Sequence, residues 1–341
     1  MPKEIKTIQE ANEHFNFDWN DYRTFATSRA NLTSIETFLN TAIPTSENSR
    51  QRGELRYKLG TYYTHLASNP ETALEHLNQA KKYLDPQKQQ SQLAWTENHI
   101  AFANQQLFAL SIKNQHINEA AQYQKRALQD CEKIITAHAM QQNTDSTKIT
   151  AFAFCVRALV QYKNNQLNDA IKNYKFALSL YEKHDLTDDQ YARAKNRMAA
   201  MLVENNQTRE AEKAYAELEK YWSERKGSFH NIFCARFNMM HGDYLADSNK
   251  LESALTKYNH ACRTLRLIEG KEASFTKEVS VKAETVAKKI AREDKAQSTS
   301  WNAYAWKAAV GLTSVIGLFG AYKLLTRENN STNTPSMEFK R

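Results

Sequence analysis

The stretch FCVRALVQYKNNQLNDAIKNYKFALSLY, residues 154–181, decides how the rest of the chain reads. Its apolar residues recur at helical spacing on both sides of the polar turn Asn164-Asn165-Gln166. That pattern predicts two helices folded back on each other. Ala158 stands twelve positions before Ala170, Tyr174 follows four later and Ala177 three after that. Small residues at facing positions let two helix backbones approach closely, and the tyrosine fills the space towards the next pair. The same offsets return at Ala199, Leu202, Ala211, Tyr215 and Leu218, and again at Gly242, Leu245, Ala254, Tyr258 and Ala261. Their turns are Asn205-Asn206-Gln207 and Asp247-Ser248-Asn249. A fourth unit, one residue longer in its turn, runs through Leu59-Gly60, Tyr63, Ala73, Leu77 and Ala80 to Asp85-Pro86. A further helical pair extends from Trp95 to about His138, but its small residues Ala120 and Ala127 fit the pattern poorly.

Composition points the same way. Only 8 Gly and 5 Pro occur in 341 residues, with no Pro between Pro86 and Pro335. A sandwich or barrel needs turn residues every dozen positions, and a doubly wound α/β fold needs Gly-rich strand-to-helix loops. Both are excluded, which leaves an all-α chain. The four cysteines form no C-x-x-C pair and fall inside helical patterns, as buried small side chains of a reducing compartment do.

The repeated unit resembles the tetratricopeptide repeat (TPR) family, whose signature runs W-x2-L-G-x2-Y and then A, F, A and P. Leu59-Gly60-x2-Tyr63 matches its first half, Asp85-Pro86 falls within a residue of its end, and the later units match by residue class. The resemblance covers residues 51–269 and implies a right-handed superhelical solenoid of helical hairpins with a concave inner groove. The anchor alanines at 73, 120, 170, 211 and 254 are spaced by 41 to 50 residues, more than the family's common period of 34, so longer helices are expected.

Outside the repeats, residues 1–50 read as an N-terminal helical hairpin closing the array. Residues 270–297 read as an amphipathic capping helix on Phe275, Val279, Ala283, Val286 and Ile290. Helix starts are expected at two capping boxes, Thr33–Glu36 and Thr187–Gln190, and at Asp85 with Pro86 in the first turn. Residues 303–325, AYAWKAAVGLTSVIGLFGAYKLL, predict a transmembrane helix. They are apolar on all faces, where the other helices show a polar face, and aromatics and lysines flank them at both ends. A polar tail, residues 326–341, follows, and a linker at Ala296–Ser300 precedes. This layout reads as a tail anchor with the N-terminal domain cytosolic, and its basic flanks Lys323 and Arg327 favour the outer mitochondrial membrane over the endoplasmic reticulum. Ala305, Ala309, Thr313, Gly317 and Ala321 form a small-residue stripe that would pack the anchor against another helix, including that of a second copy. Cationic residues before the span, among them Lys288, Lys289 and Arg292, suit anionic lipid headgroups.

No G-x-S-x-G, phosphate-binding loop or H-E-x-x-H occurs, so no enzyme chemistry and no cofactor is read from the sequence. His230, Cys234 and His241 are the nearest approach to a metal set, and packed or solvated side chains account for them better. The net charge of +8 is not accompanied by aromatics interleaved with Lys and Arg, so nucleic acid is not expected as a partner. One basic cluster stands out: Arg193, Asn196 and Arg197 on the first helix of one unit, with Arg236 on the next. The resemblance places Arg193 and Arg197 where chaperone-binding members grip a peptide's C-terminal carboxylate. Phe152, Cys155 and Val156 in the preceding unit do not complete that clamp. The expectation is therefore a non-catalytic, membrane-tethered adaptor or scaffold that takes a protein or peptide in its groove. An effector delivered by a bacterium to a host organelle membrane, and a bacterial inner-membrane assembly protein, remain as alternatives.

Overall fold

A computed structural model describes residues 5–15, 22–42, 48–141, 143–225, 231–268, 270 and 273–313, with backbone only at 22–29 and 294–313. Helices account for nearly all of these residues, and no strand occurs among them. Two compact units are present, Met1–Ala283 and Glu284–Arg341, and the first holds all of the repeats.

α1 (Ile8–His14) and α2 (Tyr22–Thr41) precede five helical hairpins. These are α3 (Ser49–His65) with α4 (Pro70–Tyr83), α5 (Gln90–Lys113) with α6 (Ile117–His138), α7 (Thr144–Lys163) with α8 (Leu167–Lys183), α9 (Asp189–Glu204) with α10 (Thr208–Ser223), and α11 (Ile232–Asp247) with α12 (Leu251–Ile268). The first helix of each hairpin packs on its second. First helices also meet each other, α3 on α5, α5 on α7 and α9 on α11, and so form an inner layer. α13 (Ser274–Thr313) closes the series.

The anchor residues do what their size predicts. Ala73, Ala120, Ala170, Ala211 and Ala254 are all buried. A Cβ on Gly60 would lie 2.4 Å from Leu77 Cγ, and one on Gly242 would lie 2.9 Å from the ring of Tyr258. Each hairpin turn places one residue in the left-handed region, five positions before its anchor alanine: Ser68, Gln115, Asn165, Asn206 and Asn249. The Gln166 N–H then reaches back to the Gln161 carbonyl at 2.9 Å, and Gln207 to Leu202 and Lys250 to Leu245 repeat that bond at 2.8 Å. This is the Schellman closure normally given to Gly, here carried mostly by Asn, the non-glycine residue best suited to left-handed backbone. It explains how so Gly-poor a chain turns so often.

The α5–α6 pair, whose small residues fit the sequence pattern poorly, is a regular hairpin of the series. Phe108 occupies the position of the small residue, twelve before Ala120, and packs in a cluster with Ala120, Ala127 and Val160. The long period expected from the anchor spacing appears as helix length, with 24 residues in α5 and 22 in α6.

Several helix starts differ from expectation. Thr33 and Glu36 lie inside α2, so they form no capping box. α9 is capped by Asp188, whose carboxylate accepts from the Gln190 and Tyr191 N–H groups, and not by Thr187. Asp85 accepts from the Gln87 and Lys88 N–H groups in a turn that ends before α5 begins at Gln90. The Pro-at-first-turn arrangement is instead found at Asn69-Pro70, where Asn69 caps α4. A capping box is present at Thr7 and Glu10. In each displaced case a carboxylate or amide with better reach wins the cap, or tertiary packing carries the helix through.

The inner helices also depart from the expected polar face. α5, α7 and α11 are buried around most of their circumference, polar residues included. Apolarity on all sides therefore does not by itself set residues 303–325 apart. α13 is continuous through Ala296–Ser300, where a linker is expected from the sequence, because that segment holds neither Gly nor Pro to stop a helix. Of the expected membrane span, residues 314–325 lie outside the described residues, as does the tail 326–341. Among the described residues no helix is long and apolar enough to cross a membrane.

Candidate functional site

The inner layer is stitched by polar side chains. Gln106 Nε2 on α5 donates to the Thr64 carbonyl of α3 at 2.8 Å, and Asn98 Nδ2 on α5 donates to the Ile149 carbonyl of α7 at 3.0 Å. Tyr162 on α7 donates to Glu204 Oε1 on α9 at 2.9 Å. Asn196 Nδ2 on α9 donates to Met240 Sδ on α11 at 3.1 Å. Arg236 on α11 then donates to the His65 carbonyl at the end of α3, at 3.0 Å and 171 residues away in sequence. α12 also packs on α2. The last hairpin thus returns to the first, and the inner helices surround a common interior.

That interior carries charges of both signs. Arg193, Asn196, Arg197, Ala200, Met201 and Glu204 follow the 3-4-3 spacing of one helix face on α9. Arg236, Met239, Met240, Asp243 and Asp247 do the same on α11. α9 and α11 run parallel and in register, for Asn231 bonds Asp189 at one end as Asn196 bonds Met240 further along. Between them and the ends of α3, α7 and α13 lies a cleft of about 910 Å³. Arg197, Arg236, Met239, Met240 and Tyr244 line it, with Tyr62 and Leu66 across from them.

Arg193 sits beside this cleft, only 7% exposed. Its guanidinium lies 5.0 Å from the centre of the Phe102 ring and 5.3 Å from that of Phe233. None of its three nitrogens has a hydrogen-bond partner among the described residues. Burial drives its pKa well down, and the neighbouring Arg197 and Arg236 push further in the same direction. Arg197 lies over Phe102 at 5.6 Å, and no ion pair joins Arg193 or Arg197 to a carboxylate among the described residues. A buried cation without a counter-charge is costly, and π faces recover part of that cost only.

The neighbours cannot supply the missing charge. His65, fully enclosed against Phe102 and His99, is held neutral by burial first and then by Arg193. His99 is pushed down to about 4 by burial, and its Nδ1 engages the Trp95 carbonyl at 2.8 Å. Burial raises the Cys155 thiol to about 12, overriding the two arginines, so it stays protonated. Among the described residues, this cluster holds no activated nucleophile. What it offers is a preformed set of cations facing an apolar, thioether-lined cleft.

All four sequence-derived binding residues, Arg193, Asn196, Arg197 and Arg236, come together here. Asn196 bridges to α11, Arg197 and Arg236 face the cleft, and Arg193 is enclosed beside them. Phe102, Phe233 and His65 complete the cluster without any sequence signal, because they come from helices distant in the chain. The other sequence-derived candidates do not assemble. Cys234 is buried and His241 stacks on Tyr215 at 4.7 Å, while His230 lies outside the described residues. Among the described residues no group of three metal-ligating side chains forms. Of the anchor stripe, Ala305, Ala309 and Thr313 fall within α13, and Gly317 and Ala321 lie outside the described residues.

No family model matches the chain, and no curated protein does. Solved structures share its general layout. A Rap protein complexed with competence and sporulation factor is 15% identical, with 79% of this chain and 72% of that one covered and a TM-score of 0.45. BtubC (BKLC) from P. vanneervenii is 14% identical over 88% and 100% of the two chains, at 0.44. The apo form of RapI is 12% identical over 83% and 99%, at 0.46. None of these likenesses reaches a TM-score of one half, and each concerns helical arrangement rather than the residues of the cleft.

Proposed function

We propose that this chain is a non-catalytic adaptor that holds an anionic segment of a partner protein or peptide in the cleft between α9 and α11. One observation carries the reading: Arg193 and Arg197 present guanidiniums to the interior without a carboxylate partner among the described residues. An incoming carboxylate or phosphate would supply the counter-charge, and hydrogen bonds to arginine in a low-dielectric site are the strong ones. Arg197 and Arg236 make first contact, Arg193 reinforces their field, and Asn196 fixes the spacing of the two helices.

The same proposal places the C-terminal segment 303–325 in a bilayer, with the repeats on the cytosolic side and the outer mitochondrial membrane as the destination. Its support is the sequence: a charge-free core from Ala308 to Tyr322 flanked by Lys307, Lys323 and aromatics. Close approach of two such anchors through the small-residue stripe would give a dimer.

Two measurements test the cleft and the anchor separately. Proteins that co-purify with the full chain from its native cells should be lost on the paired change Arg197→Glu and Arg236→Glu, provided the circular dichroism is unaltered. An unchanged set of partners refutes the cleft. Alkaline carbonate should leave the full chain in the membrane pellet and release a chain ending at Ser300; if both are released, the anchor is refuted.

A further inference from the structure

The cleft is charged at both ends, and with opposite signs. On α9, Glu204 follows Arg197 by seven residues; on α11, Asp243 follows Arg236 by seven. All four line the cleft. Seven residues are two helical turns, about 10 Å, so each cation and its following anion share a face. Because α9 and α11 are parallel, with Asn231 bonded to Asp189 and Met240 to Asn196, Arg236 lies level with Arg193 and Asp247 level with Glu204, so the cations gather towards one end and the anions towards the other. Asp247 and Glu278 add to the anionic end. Lys282 engages both oxygens of Asp243 at 2.8 Å and exposed Lys163 lies nearby, which reduces the negative charge there without cancelling four carboxylates. Arg193, buried and without a hydrogen bond among the described residues, strengthens the cationic end. Between the ends the wall is Met201, Met239, Met240 and Tyr244, apolar and adaptable.

We infer that the occupant of this cleft is an extended peptide segment with an acidic and a basic side chain about 10 Å apart, separated by two residues of which at least one is apolar. This rests on the reading of the cleft as a binding site. Extended chain advances about 3.3 Å per residue, so residues three apart match the separation of the two ends. A purely acidic segment would meet the carboxylates of Glu204 and Asp247, and a purely basic one the arginines, so the charge pattern selects by repulsion as well as attraction.

The test is selection of random displayed dodecapeptides on the immobilised full chain in mild detergent. Enriched sequences should carry Asp or Glu and Lys or Arg at a spacing of three, at least tenfold above the input library. On a chain with Glu204→Lys and Asp247→Lys, both exposed positions, the basic residue of the motif should be replaced by a second acidic one. Enrichment of acidic peptides without a spaced base, unaffected by that change, overturns the inference and leaves the anionic-segment reading standing. Absence of any enrichment over the Arg197→Glu, Arg236→Glu chain overturns both.

Discussion

Replacing Arg193 by Met should make the protein more stable. The guanidinium is 7% exposed, holds no hydrogen bond among the described residues and sits between Phe102 and Phe233. Desolvating such an ion costs several kcal/mol even after relaxation, about 5 kcal/mol as a working figure. Two enclosed cation–π contacts return about 2 kcal/mol each. Repulsion adds about 2 kcal/mol from each of Arg197 and Arg236, about 4 kcal/mol together, for guanidiniums on the order of 8 Å apart at an effective dielectric of about 20. The balance is a net burden of about 5 kcal/mol, which a methionine of similar length removes at a packing cost of about 1 kcal/mol. Urea unfolding of Arg193→Met, followed by circular dichroism and by tryptophan fluorescence, should therefore show a gain of about 3–5 kcal/mol, with a Tm rise of at least about 5 °C. Arg193→Ala, which leaves a void between two aromatic rings, should show no such gain. If Arg193→Met instead loses about 1 kcal/mol or more, the guanidinium is compensated in the free protein and the idea of a waiting counter-charge site fails.

Gly60→Ala should destabilise by about 2 kcal/mol, the overpacking cost less the helix-propensity gain, because the new Cβ would meet Leu77 at 2.4 Å. A double-mutant cycle with Leu77→Val should return a coupling above about 0.5 kcal/mol, and strict additivity would refute the contact. Stability should also fall with acid. His99 and His241 are buried with their pKa values lowered from 6.5 to about 4, in both cases chiefly by burial. The unfolded chain therefore takes up their protons first, and stability declines from about pH 6.5 down to about pH 4 by as much as about 3 kcal/mol for each histidine. Denaturant midpoints measured across that window should flatten in His99→Phe; an unchanged pH slope would assign the loss to other groups.

The hairpins were legible because their contacts are local. An Ala–Tyr–Ala set twelve residues after a small one reports a helix pair whose members touch within the same forty residues. α5–α6 reads as a helical pair but fits the pattern poorly, because Phe108 takes the small residue's place. The displaced caps have another cause: a Thr-x-x-Glu pattern such as Thr33–Glu36 also fits the inside of a continuing helix, where Glu36 instead accepts from the Tyr63 hydroxyl and engages His76, and only packing decides. In the cleft, Arg193, Asn196 and Arg197 were visible as one helical face, and Arg236 by the repeat offset. The aromatic cage around Arg193 was not, since Phe102 and Phe233 are 131 residues apart. No spacing rule spans a distance that the superhelical path alone creates. The same holds for the bond from Arg236 to His65.

That bond changes how the array is expected to come apart. In an open stack of repeats the two outermost units have one neighbour each and fray first, so disorder spreads inward from the ends. Here the fifth hairpin leans on the first, so every unit has neighbours on both sides, as in a lattice with a periodic boundary. Parting any one seam leaves an intact linear stack rather than a loose end. The seam between α3 and α11, held by a guanidinium-to-carbonyl bond and ring contacts rather than by interdigitated helix faces, is a slender one and borders the cleft. The molecule can thus be unlatched beside the cleft, at a cost far below that of unfolding.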